Sequence, residues 1–366
     1  MMINNPEGNR LMTMRKMMAV WVVALASVMN LLASAARADE PWVTYEGGDG
    51  AGKGKSIVFV SGDEEYRSEE GLPMLAKLLA THHGFKCTVL FAIDEKTGEI
   101  SPNEGGNIPG LQALDTADLM VILTRFRHLP EDQMKHVDDF LMAGKPVIGL
   151  RTATHAFSGM KGTYEKYNNG YKGKEEGWAD GFGRAVLGEK WISHHGSHMH
   201  ESTRGVFAPD VAGNPILTGI KDGEIWGPSD VYGVRLPLPD TCKVLLLGQV
   251  CKAADKKIDA DPNYGMKPTD EPLPATDKKN NPMMPIAWTK TYQLPGGKPG
   301  RSFTTTMGAS TDLTNEGLRR MLVNASYDLI GLKVPDKADV TIVGEYAPHS
   351  YKGGGYTKGV KPGDLK

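Results

Sequence analysis

Four of the ten histidines in this 366-residue chain fall within seven positions, His194, His195, His198 and His200. If residues 197–207 form a strand, the side chains of His198 and His200 share one face, as paired transition-metal ligands do. The competing reading is a solvent-facing polar strand with His194 or His195 in the wall of a metal-free pocket. A second constellation is Gly149-Leu-Arg-Thr-Ala-Thr-His155, an apolar run that breaks into small residues where a helix could begin. That is the geometry of a nucleophile elbow. The apex residue is Arg151, which stays protonated and cannot attack a carbonyl. Thr152 and Thr154 would each need a base, and His155 is the one beside them. The elbow therefore presents a binding or electrophilic group, and no G-x-S-x-G occurs in the chain.

These residues need a scaffold, and alternating elements provide one. Ser56-Ile-Val-Phe-Val predicts a first strand, and Ser68 with Glu69 and Glu70 opens a helix that runs to His83-Gly84. Strands follow over 85–92, 118–124 and 146–150, and Pro130 opens a helix that closes at Ala143-Gly144. Strand and helix patterns at this spacing predict βαβ units and a parallel sheet. Beyond residue 157 the pattern loosens. Strands are expected over 243–250, 286–292 and 301–307, and an amphipathic helix over 315–330. Residues 252–285 read as a polar insertion. Asp259, Asp261 and Asn263 in it resemble the opening of a calcium loop, but Gly265 falls one place late and Pro262 interrupts.

Ligands of open α/β sheets bind outside the carboxyl ends of parallel strands. The first strand ends in Ser61-Gly-Asp-Glu64-Glu65-Tyr66-Arg67, and the third in Thr124-Arg125-Phe-Arg127-His128. The fourth ends in the Arg151 elbow, and the strand at 301–307 in Gly308-Ala-Ser-Thr-Asp312. Each arginine alone is explained by a surface salt bridge. Their joint occurrence with carboxylates at successive strand ends argues for a site.

Composition sets the outer bounds. The net charge is −2 and 23% of residues are charged, which removes any compositional case for nucleic-acid binding. Arg10, Arg15 and Lys16 precede the apolar run Met17 to Leu32, and Ala36-Arg37-Ala38 is an A-x-A site. The segment 1–38 is thus read as a signal peptide cleaved after Ala38, giving a secreted or periplasmic protein without stable membrane association. An uncleaved anchor is the competing reading. Residues 39–54 read as a flexible lead-in, since Gly47 to Lys53 matches a phosphate loop only in part. Residues 333–366 read as a C-terminal tail, Gly/Lys-rich and loosely ordered from 347. Of three cysteines, Cys87 is expected as a buried strand thiol, while pairing of Cys242 with Cys251 stays open.

The elbow, the Trp191-Ile-Ser-His-His-Gly block and the Pro285-Ile-Ala-Trp-Thr…Gly300-Arg-Ser-Phe-Thr-Thr-Thr-Met-Gly pattern resemble the ThuA-like (trehalose-utilisation) family, as does Ser61 to Glu70. The resemblance covers about residues 55–332. It implies an α/β fold of the flavodoxin-like, class I glutamine amidotransferase-like kind, a three-layer sandwich with a mostly parallel sheet, and a role in carbohydrate metabolism. Amidotransferase relatives carry a cysteine where Arg151 stands and a glycine where Ala153 stands, so glutaminase activity is not expected. Family members often read Gly-His where this chain has Gly308-Ala309, so no role for that histidine carries over. The expected activity is acid–base chemistry on a sugar or oxidised (3-keto) glycoside. His155 or His195 would move protons, Glu64 or Glu65 would partner them, and Arg125 and Arg151 would steady negative charge. Thr152, Arg67, His194 and Asp312 complete the binding wall, with Tyr66, Trp178 and Trp191 as sugar-facing rings. The alternatives are a non-catalytic sugar-binding or scaffold protein and a metal-dependent hydrolase. A small carbohydrate is the expected partner, a homo-oligomer is compatible, and no cofactor is called for unless His198 and His200 hold a metal.

Overall fold

The computed structural model of the protein describes residues 40–254 and 256–366. The expected leader and its expected cleavage point lie outside these residues. Twelve strands are described, β1 (Trp42–Tyr45), β2 (Ser56–Gly62), β3 (Lys86–Phe91), β4 (Leu119–Thr124), β5 (Val147–Leu150), β6 (Ser193–His194), β7 (Glu201–Phe207), β8 (Ile225–Gly227), β9 (Tyr232–Gly233), β10 (Cys242–Lys252), β11 (Met284–Tyr292) and β12 (Gly300–Thr305). Three α-helices accompany them among the described residues, α1 (Ser68–His83), α2 (Glu131–Met142) and α3 (Glu316–Ile330). None is long and apolar enough to cross a membrane among the described residues.

Ten strands form one sheet in the order β1-β3-β2-β4-β5-β12-β11-β10-β7-β8, and β6 pairs separately with β9. The run β3-β2-β4-β5-β12 is parallel. β1 and the series β11, β10, β7 and β8 add antiparallel pairings on either side. The parallel strands are buried on both faces, which is why they read as unbroken apolar runs. Alternation along β2 and β4 sends Ile57, Phe59, Leu119, Val121 and Leu123 to one face, where α1 and α3 cover them with Leu72, Leu75, Leu318 and Leu322. Val58, Val60, Met120 and Ile122 go to the other, under Val137 and Phe140 of α2. The protein is thus a mixed α/β fold around a large central sheet.

Several expectations change. The lead-in carries β1, whose Val43 is fully buried against β3. The first helix has no side-chain cap: Arg67 stands before it at φ 58°, and Ser68 is its first residue. Instead, the Ser68 hydroxyl accepts from the Asp63 amide at 3.0 Å and is bonded to Ser61 Oγ at 2.8 Å. Cys242 and Cys251 are free and stand on one strand. Nine residues of extended chain separate them by roughly 30 Å, far beyond disulfide reach. Cys87 is buried, as expected of a strand thiol.

The tail is held in place as well. Tyr351 is fully buried, donates to Pro228 O at 2.9 Å, and accepts the Tyr264 hydroxyl at its own carbonyl. Lys352 N and Gly354 N donate at 2.8 Å to the carbonyls of Glu65 and Glu64. Truncating so large a buried ring leaves a cavity, so Tyr351→Ala should cost about 3–5 kcal/mol. Urea unfolding measures it, and a change below about 0.5 kcal/mol would mean that the tail is not packed.

Candidate functional site

The carboxyl ends of β2, β4 and β5 lie side by side, and the turn after β2 is built on Asp63. One carboxylate oxygen of Asp63 accepts the amides of Glu65 at 2.6 Å and Tyr66 at 2.7 Å. The other accepts the Thr152 hydroxyl across the strand ends. Burial raises this fully enclosed carboxyl to about 6, against the opposing pull of its hydrogen bonds. The turn places Glu64 against Arg125 and, at 2.9 Å, Arg127. Arg127 is buried and spends its remaining donors on the carbonyls of Arg125, Pro102 and Glu104. Arg125 keeps 28% of its side chain exposed and also faces Glu65 at 3.5 Å.

The elbow forms as expected but is used differently. Arg151 takes a positive φ of 43°, sparsely populated for a non-glycine residue, and opens a 3₁₀ turn to His155. Its guanidinium does not enter an open cleft, being 0% exposed. One nitrogen donates to Asp230 O at 2.5 Å and Thr306 O at 2.8 Å, the other to Tyr66 Oη at 3.0 Å and Asp230 Oδ1 at 2.8 Å. The cation also lies 3.6 Å from the Tyr232 ring centroid and 4.6 Å from that of Tyr66. Its anionic partner is Asp230, not Glu64 or Glu65.

Asp230 gathers the histidines. Oδ2 meets His194 Nδ1 at 2.8 Å, and Oδ1 meets His198 Nδ1 at 3.1 Å. The second nitrogen of His198 faces Glu65 Oε1 at 3.2 Å. Burial works to raise the Asp230 carboxyl, but Arg151 and the two imidazoles outweigh it and hold it well below the usual carboxylate range. His194, His198 and Asp230 each bring one possible ligand atom to within 4.8 Å of the others, so these three residues could hold a metal. His194 keeps 37% of its side chain exposed. Trp191 and Tyr232 pack beside it, with ring centroids at 5.8 and 5.6 Å.

Other expected residues are placed elsewhere. β7 begins only at Glu201, so 197–200 is a turn and exposed His200 does not pair with His198. His195 turns to the Lys279 carbonyl at 2.8 Å. His155 is buried between the rings of Phe126 and Trp191, and desolvation, followed by the charges of Arg125 and Arg151, holds its pKa well below the usual imidazole value. A buried neutral imidazole is a poor solvent-facing proton carrier. Trp178 is core, 4.5 Å from Tyr167, and offers no sugar platform. Asp312 is consumed in bracing, accepting from Ser229, Gly308 and Ala309. A Cβ at Gly227 would stand 2.3 Å from Asp312 Oδ1, which explains the glycine there. Arg67 faces Glu69 at 3.4 Å and Glu70 at 3.7 Å. Sequence reading missed Asp230, Tyr232 and Tyr351. The signal for the first two was Gly227-Pro-Ser-Asp-Val-Tyr-Gly233, a punctuated strand end like the others.

The family profile described as ThuA, trehalose utilisation, matches residues 56–327. Among solved structures, the chain is similar to a putative ThuA-like protein from Parabacteroides merdae at 15% identity, covering 82% of this chain and 99% of that one, with a TM-score of 0.43. A second, from Bacteroides uniformis, is 13% identical over 77% of this chain and 94% of its own, with a TM-score of 0.42. No curated protein matches the chain.

Two outcomes follow from the buried charges. Arg151→Lys cannot reach the same four acceptors and should cost about 3 kcal/mol in urea unfolding, the usual scale for breaking a buried ion pair. An unchanged midpoint would overturn the bracing role. Folded Asp63 keeps its proton to about pH 6, whereas 3.8 is the ordinary value that an unfolded chain restores. The folded state therefore binds more protons between those values, and stability falls as pH rises through that window by up to roughly 3 kcal/mol. Asp63→Asn should flatten this slope, read from unfolding free energies on both sides of the window; a slope equal to wild type would assign the titration to another group.

Proposed function

The chain belongs to the ThuA, trehalose-utilisation family, and from that premise we propose that it processes a carbohydrate by acid–base chemistry at the strand-end cluster around Asp230, without glutaminase activity. The observation that carries this reading is the pairing of half-exposed His194 with an ionised, buried carboxylate. A carboxylate on Nδ1 fixes the tautomer and orientation of an imidazole and leaves the other nitrogen to meet a substrate. His194 thus takes the proton-handling role that the sequence assigned to His155 or His195. Arg125, ion-paired yet partly exposed, stands where negative charge on an enediolate or carboxylate could be steadied. Partly exposed Trp191 lines the same wall, backed by buried Tyr232. The absence of a thiol supports the loss of glutaminase chemistry, because Arg151 occupies the elbow apex and the three cysteines stand on β3 and β10.

This reading includes the layered amidotransferase-like arrangement of the family and an exported mature chain beginning at Asp39, where an oxidised disaccharide would be met outside the cytoplasm. N-terminal sequencing of host material should return Asp39. A panel of disaccharides and their 3-keto forms, followed by NMR for turnover and thermal shift for binding, tests the activity. His194→Ala should lower kcat by at least about a hundredfold, the lower end of the usual acid–base contribution. Arg125→Gln should weaken substrate binding about tenfold, or 1.4 kcal/mol. Binding without turnover would make this a sugar-binding protein, and neither binding nor turnover would overturn the proposal.

A further inference from the structure

We propose that His194, His198 and Asp230 form a binding site for one divalent transition-metal ion of the zinc class. The inference rests on the same cluster as the functional reading but gives His194 another task there, because an imidazole that lends its lone pair to an ion cannot also take up a proton. Two imidazole nitrogens and one carboxylate oxygen suit zinc and its first-row neighbours. They suit calcium and magnesium poorly, since these ask for oxygen ligands.

The distances fit. Ligands about 2.0–2.2 Å from a tetrahedral ion lie roughly 3.3–3.5 Å from one another. The two histidine–carboxylate pairs already stand at 2.8 and 3.1 Å, and all three candidate atoms lie within 4.8 Å. Shifts of a few tenths of an ångström in the pairs, and a swing of one imidazole, would make room for an ion.

The ligands are also carried on a fixed frame. His194 stands on β6 directly across from Tyr232 of β9, and the His195 and Gly196 amides both donate to Val231 O at 2.8 and 3.0 Å. Asp230 immediately precedes that paired segment. Met199, at φ 61°, turns the chain just after His198 and sends His200 away.

A second observation points to a metal independently of the donor set. The far nitrogen of His198 meets the Glu65 carboxylate at 3.2 Å. A carboxylate behind a histidine is the arrangement that orients metal-bound imidazoles and makes them more basic. Asp230 is likewise fixed by Arg151, which donates at 2.8 Å to Oδ1, the oxygen that also faces His198, and leaves Oδ2 to His194. The neighbouring carboxylates of Glu64, Glu65 and Asp230 are matched by the guanidiniums of Arg125, Arg127 and Arg151. Such a balanced surround would not concentrate dications by field alone, so binding must come from coordination, which favours an imidazole-seeking ion. The exposed flank of His194 leaves a side on which a sugar hydroxyl or keto oxygen could complete the shell.

The test uses the full mature protein stripped with a chelator. Zinc is titrated by calorimetry, and cobalt(II) is added as a spectroscopic probe. About one equivalent should bind, with the intense visible bands of a tetrahedral cobalt site. His194→Gln and His198→Gln should each weaken binding at least tenfold, while His195→Gln and His200→Gln should leave it unchanged. Circular dichroism confirms that each variant is folded, and the wild-type cobalt spectrum stands whether or not a variant folds. Less than about a tenth of an equivalent in wild type, or binding indifferent to both ligand variants, would overturn the site. Thermal shift of the metal-free protein with the disaccharide panel separates the two proposals. Sugar handling without metal binding overturns the metal site alone, whereas metal binding without sugar handling overturns the carbohydrate reading and leaves the metal site standing.

Discussion

The ion pair between Arg151 and Asp230 is the constraint from which the site is built. Both side chains are wholly removed from water. Such burial costs several kcal/mol per ion unless every remaining donor and lone pair finds a partner. The surroundings meet most of that demand through the carbonyls of Asp230 and Thr306, the hydroxyl of Tyr66 and the faces of two tyrosine rings. Arg151 Nε alone has no partner. The pair joins the elbow after β5 to the loop between β8 and β9, segments 79 residues apart in sequence. Because Asp230 also orients His194 and His198, the histidine geometry is set by an arginine that touches neither.

That arrangement explains what became of the elbow. A strained φ at a strand-to-helix turn usually marks a functional position, since folding energy elsewhere must hold it. Here the strain persists at Arg151, but the apex residue is drawn inward by an anion and covered by Tyr232. The chemically useful groups move outward by one layer, from the apex to the imidazoles resting on its counter-ion. A buried guanidinium with both terminal nitrogens engaged cannot also clamp a substrate, so the partly exposed cation of the site becomes Arg125.

Local signals announced the parallel half of the fold and left the rest hidden. The runs at 56–62, 119–124 and 147–150 are apolar because both their faces are covered, and that property is visible residue by residue. α3 announced both its ends, with Asn315 accepting from Leu318 N at 2.9 Å and Gly331 closing it at φ 81°. β1 was hidden in a glycine-rich stretch because four residues at a sheet edge need little more than one buried valine. The strand ends gave the right neighbourhood for the site, yet not the direction of any side chain. Arg151, Arg125 and Arg127 carry the same charge, and only pairing with distant segments decides which is buried. Asp230 lacked a cationic neighbour in sequence for the same reason.

The tail shows how composition can mislead about order. Residues 347–366 are rich in glycine and lysine, which argues against an independent core. Its order is borrowed: the amides of Lys352 and Gly354 bond to the carbonyls of Glu65 and Glu64, so its backbone docks on the turn that aims both carboxylates. Tyr351 fills the space between Tyr66 and His198, with ring centroids at 5.2 and 5.3 Å. One residue therefore touches the arginine's hydroxyl partner on one side and the doubly held imidazole on the other. Displacing the tail would free the Glu64–Glu65 backbone and uncover the inner face of His198 in the same event, which couples the last turns of the chain to the geometry of a site formed some 120 to 290 residues earlier.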